Sequence, residues 1–146
     1  MRWVSLSALK RQTLSREKWE LLLIDNASST QTAKASDLRW HPNGRHLSET
    51  KIGKTNALLL AIREAKAELL LTVDDDNILE PDYLEGCLKI ASEFPKLGAW
   101  GGQIIGEFEV PPPAWAAPHL HNLALYEAAH DVWSNLPPPS SKFREF

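Results

Sequence analysis

Two short runs of consecutive apolar residues dominate the chain: Leu21-Leu22-Leu23-Ile24, ending at Asp25, and Leu69-Leu70-Leu71-Thr72-Val73, ending at Asp74. Unbroken apolar runs of this length suit parallel strands covered on both faces, so strands are predicted over 19–25 and 68–74. A third candidate covers 98–105, weakened by Gly98, Gly101 and Gly102, and a weaker one lies near 38–41. Helical spacing fills the intervals. Leu58, Ile62 and Ala65 form one stripe, broadened by Leu59, with Gly53 near its start. Leu84, Cys87, Leu88 and Ala91 form a second, with Pro81 suited to a first turn. The opening segment, with Leu6, Leu9 and Lys10-Arg11, also fits a helix. Alternating strands and helices predict a three-layer α/β/α fold around a mostly parallel sheet.

The pattern changes late in the chain. Seven of the ten prolines follow residue 110, including two Pro-Pro-Pro runs at 111–113 and 137–139. Proline fixes φ and removes a donor, so regular structure should thin out there. The expected division is a compact domain over 1–106 and a proline-rich extension over 107–146, with one helix near 119–133. A length of 146 residues and 43% hydrophobic residues suit one globular core and argue against disorder. No apolar run approaches a transmembrane helix, and the first residues lack the long apolar stretch of a secretory signal. The single cysteine, Cys87, excludes an internal disulfide and points to the cytoplasm. Its place on an apolar helical stripe favours a buried, inert thiol.

Charge sharpens the picture. Residues 1–66 carry twelve Lys and Arg against six Asp and Glu, and residues 67–146 four against thirteen. The basic residues form no run, so nucleic acid is not an expected partner. The acidic excess centres on Asp74-Asp75-Asp76. In a parallel sheet the carboxyl ends of the strands share one edge, and ligands bind in the crevice outside it. Asp25 and the triplet each follow a predicted strand, so the two acidic sites are expected to face one cleft. In an extended stretch Asp74 and Asp76 point the same way while Asp75 points elsewhere. Oxygen-only ligands suit a hard divalent cation, Mg2+ or Mn2+, with positions left for phosphate oxygens. Both segments also read as turns that cap a following helix. The residues alone leave the two readings of the triplet evenly matched, and for 25–30 they favour the turn.

Taken together, these segments resemble the family 2 glycosyltransferases, enzymes of the GT-A fold. The resemblance rests on Gln12-Thr13-Leu14, on residues 19–28 ending Asp25-Asn26-Ala27-Ser28, and on Gly53 ahead of a helix. It continues through Asp74-Asp75-Asp76-Asn77-Ile78-Leu79-Glu80-Pro81-Asp82-Tyr83-Leu84 and Gly101-Gly102-Gln103-Ile104, and more loosely to Trp115. It implies transfer of a sugar from a nucleotide-sugar donor to a sugar, lipid or protein acceptor, with Mn2+ or Mg2+. By the same resemblance Asp25, with Asn26 and Ser28 beside it, contacts the nucleotide. The D-x-D pair falls on Asp74 and Asp76, which would hold the metal and touch the ribose and diphosphate. Asp76 is the expected direct ligand, and Asp75 the middle residue of the donor site. Attachment to a membrane surface is compatible with the family.

Departures from the pattern matter too. The family's first strand, which lies between those ending at Asp25 and Asp74, has no counterpart after Met1, and no acidic motif follows to supply a catalytic base. Glu107, Glu109 and Glu127 are carboxylates without a motif match. The expectation is therefore a domain incomplete at both ends, and a module that binds nucleotide or a partner without turnover is the alternative to an enzyme. The family's Ala-Arg-Asn reads Ala57-Leu58-Leu59, removing one phosphate-facing cation. Two rivals fare worse. Gly53-Lys54-Thr55 suggests a P-loop, but Ser48 replaces the loop's first glycine and the preceding residues make a poor buried strand, so Lys54 reads as solvated. His119, His121 and His130 lack the i, i+4 spacing of a helical metal pair.

Overall fold

The computed structural model describes residues 4–28, 36–123 and 125. It divides into two compact units, Met1–Leu97 and Gly98–Phe146.

The first unit is an α/β assembly of two strands and three helices: α1 (Val4–Lys10), β1 (Leu21–Asn26), β2 (Gly44–Glu49), α2 (Lys54–Glu64) and α3 (Tyr83–Glu93). A single 3-10 turn, Arg16–Lys18, leads into β1. β1 and β2 pair in parallel, with Leu21 opposite Gly44 and Asn26 opposite Glu49. Leu21 and Leu23 share one face of β1 by the strand's two-residue period. Leu21 is buried with Leu6 and Leu9 of α1 and Leu38, while Leu23, Trp19, Trp40 and Leu79 pack around that cluster. The amphipathic opening segment thus covers one face of the strand. α2 packs along β1 and β2.

Three sequence expectations need correction. The run at 68–74 forms no strand: residues 70–74 carry no ladder, and Leu70 and Leu71 are 43% and 39% exposed. An apolar run becomes a parallel strand only with a hydrogen-bonded neighbour, and the sheet contains β1 and β2 alone. The weak strand near 38–41 is instead a pair of turns, with His41 N–H donating to Leu38 O and Gly44 N–H to His41 O. The strand follows it, in the stretch that looked too polar. β2 is half covered, with His46 and Ser48 exposed and Leu47 and Glu49 partly buried, which explains its few apolar residues.

The helices sit where the spacing put them, with two differences. On α2 the apolar stripe is not covered, Leu58, Leu59 and Ile62 being 39–50% exposed. On α3 Leu84 and Cys87 are buried, but Pro81 stands in the turn before the helix, where its carbonyl accepts from Thr13 N–H at 2.8 Å. Gln12 completes this junction. Its Nε2 donates to Glu80 O at 2.7 Å, and its Oε1 accepts the Leu84 N–H at 3.0 Å, capping α3 from a distant segment. Burial raises the Cys87 thiol above its ordinary value, in keeping with an inert role.

In the second unit Ile104 makes an isolated strand bridge in place of the predicted strand over 98–105, and Ala117–Leu123 is a 3-10 helix. The rest of the helix predicted near 119–133, beyond 123, lies outside the described residues save for Leu125.

Candidate functional site

β1 ends in Asp25-Asn26, and the side chains that follow organise the loops around that end. Asp25 is 8% exposed, and its Oδ1 accepts the Ser28 N–H at 3.2 Å. This closes a tight turn in which Ala27 adopts a positive φ of 54°. The turn reading of 25–28 therefore holds locally, while Asp25 stays at the carboxyl end of the strand. Asn26 is committed to the fold. Its Nδ2 donates to Glu49 O at 3.2 Å and Lys51 O at 2.8 Å, and its Oδ1 accepts the Gly53 N–H at 2.7 Å. One carboxamide thereby ties the ends of β1 and β2 to the start of α2.

Gly53 precedes α2 with φ 127°, a conformation that disfavours any Cβ. This turn launches Lys54 toward the triplet. Lys54 Nζ lies 2.8 and 2.9 Å from the two carboxylate oxygens of Asp74, which raises the lysine pKa through that hydrogen bond and charge. Sequence reasoning treated Lys54 as solvated. It is exposed, but it is also the group that joins the β1 end to the acidic segment. No local pattern could have shown this, since the partner lies twenty residues on.

Asp74, Asp75 and Asp76 are all exposed. They sit in a turn in which Asn77 N–H donates to Asp74 O, and Asp74 N–H donates to Asn77 Oδ1, each at 3.2 Å. Asn77 Nδ2 also approaches Asp76 Oδ1 at 3.4 Å. A solvated turn and an accessible D-x-D segment are thus the same object. Behind it, Gln12 and Thr13 fix residues 80–84. The chain of contacts Asp25-Asn26, Gly53-Lys54, Asp74 links the two acidic sites through one lysine.

Among the described residues no three His, Cys, Asp or Glu side chains cluster as a ready metal cage. Asp74 and Asp76 fit a different kind of site, one or two carboxylates completed by substrate phosphates, as Mg2+ commonly uses. Asp74 already carries a cation, the Lys54 ammonium, so its carboxylate is one that a positive charge can reach. His119 is exposed and Trp115 is 74% exposed in the second unit, where Glu107 and Glu109 are exposed as well. Glu127 and His130 lie outside the described residues.

A parallel strand whose carboxyl end gathers an aspartate turn, a glycine-started helix and an exposed acidic segment defines an α/β protein of the class that binds ligands at that edge. The family follows from comparison with known ones: the glycosyl transferase family 2 model matches residues 4–140, and the chain belongs to that family. The family carries glycosyltransferase activity and the GT-A fold, and its members commonly use a divalent metal. No curated protein and no solved structure matches the chain significantly. No helix among the described residues is long and apolar enough to cross a membrane.

Proposed function

We propose that this chain moves a sugar from a nucleotide-sugar donor to an acceptor hydroxyl, with the diphosphate seated beside Lys54 and the D-x-D segment. The observation that supports it most is the bidentate Lys54–Asp74 pair, reached from the end of β1 through Asn26 and Gly53. In this reading the anomeric carbon loses its bond to the diphosphate oxygen and gains one to the acceptor oxygen, whose proton leaves to a base. A divalent cation held by Asp76 and Asp74 supplies charge neutralisation to the departing diphosphate. Lys54, released from Asp74 as that cation arrives, turns its ammonium to a phosphate oxygen. This takes the place of the cation lost at Ala57-Leu58-Leu59. Asp25, anchored by the Ser28 amide, accepts from the nucleotide base, and Asn26 holds the loop rather than the ligand. The helices and sheet are read as part of the three-layer GT-A sandwich.

The unpaired run at 69–73 favours a second reading, in which the chain holds a nucleotide without turning it over. A panel of nucleotide-sugars with Mn2+ separates the two. Release of free nucleoside diphosphate, or sugar transfer to an acceptor, is expected of the enzyme. Binding without turnover leaves the second reading, and neither binding nor turnover contradicts both.

A further inference from the structure

Far from the acidic segment, the loop between the strands is built around one histidine. His41 is 3% exposed. Its Nδ1 accepts the Asn43 N–H at 3.2 Å, so the neutral ring carries its proton on Nε2, which has no partner among the described residues. Trp19 meets it edge-on at 4.1 Å between ring centroids, and Trp40 at 5.3 Å. His41 is also the joint of the two turns that run into β2. The loop is tight, since a Cβ on Gly44 would stand 3.2 Å from Leu38 Cβ and 3.3 Å from His41 O. Asn43 then fastens the loop to the start of the sheet. Its carbonyl accepts the Leu21 N–H at 3.2 Å, and its Nδ2 donates to Trp19 O at 3.3 Å.

We propose that His41 is an acid-sensitive latch: in its neutral form it clasps the 38–44 loop to the start of β1, and protonation undoes the clasp. A proton on Nδ1 would face the Asn43 N–H donor to donor and break that bond. The new charge would be buried between two indoles, where water cannot reach it. The charged groups around it make matters worse. Arg16 of the 3-10 turn lies over the Trp40 ring at 5.3 Å and donates to Trp40 O at 3.2 Å, and Lys10 of α1 lies over the same ring at 5.5 Å. Glu17 is the one acid nearby, and its carboxylate is engaged by the Ser15 hydroxyl. Burial, and then Arg16, push the His41 pKa below its ordinary 6.5, with Glu17 opposing weakly. The unfolded chain therefore binds the proton first. Stability is complete above about pH 6.5 and is lost as pH falls from there through the folded value.

The test is urea unfolding of the full chain, followed by tryptophan fluorescence between pH 8 and pH 5. The parent and His41→Asn are compared, because an asparagine oxygen can accept the Asn43 N–H without titrating. The parent's unfolding equilibrium constant should rise by up to about tenfold per pH unit below pH 6.5, one proton's worth, relative to the variant. Parallel pH dependences would overturn the latch. Should His41→Asn not fold, ring-proton NMR of the parent decides. A His41 signal that stays neutral until native signals vanish supports the proposal, and one that titrates near 6.5 with the native spectrum intact overturns it.

Discussion

At the residue scale, the acidic positions were visible in the sequence and the groups that organise them were not. Asp25 and Asp74-Asp75-Asp76 each close an apolar run, a local signal. Lys54, Asn26 and Gln12 act across 20 to 72 residues of sequence, and such hydrogen bonds leave no periodic trace. Lys54 is exposed, and an exposed ion pair adds little to folding. Lys54→Met should leave the unfolding midpoint unmoved while weakening nucleoside diphosphate binding about tenfold, measured by calorimetry with Mn2+. Equal affinities would remove Lys54 from the donor site. Glu20 gives a pH prediction with a definite sign. Burial opposes its ionisation, but the Lys66 N–H at 2.6 Å and Arg45 at 3.3 Å outweigh this and hold it below the ordinary 4.5. The stability it contributes is present above about pH 4.5 and lost as pH falls below it. Arg45→Ala should therefore cost about 1 kcal/mol at pH 6 and much less at pH 3.5, checked by urea midpoints at both.

At the scale of elements, helices were legible and the sheet was only half so. α2 and α3 follow their 3.6-residue spacing, because that period belongs to the helix itself. A strand depends on its neighbour. The most apolar candidate, 68–74, has none and stays unpaired, whereas polar Gly44–Glu49 pairs with β1 and becomes a strand. Two junctions should prove sensitive. Gly53→Ala forces a Cβ into a φ of 127° and strains the turn that aims Lys54, at a cost of about 1–3 kcal/mol in thermal or urea unfolding. Gln12→Ala leaves the Leu84 amide uncapped, so faster hydrogen exchange at Leu84 and a loss of about 1 kcal/mol are expected. Unchanged exchange there would mean that α3 starts without help from Gln12.

At the scale of the molecule, family membership over residues 4–140 supplies the chemistry, and the first unit supplies its scaffold. The account's central claim is that the turn after β1, the start of α2 and the D-x-D segment surround a single diphosphate. Paramagnetic broadening of backbone amides by Mn2+, in the presence of nucleoside diphosphate, reads that arrangement directly. Signals of Ser28, Gly53 and Lys54 should broaden together with those of Asp74 to Asn77, and all should recover in Asp76→Ala. Broadening confined to 74–77, or untouched by the substitution, would contradict a shared site.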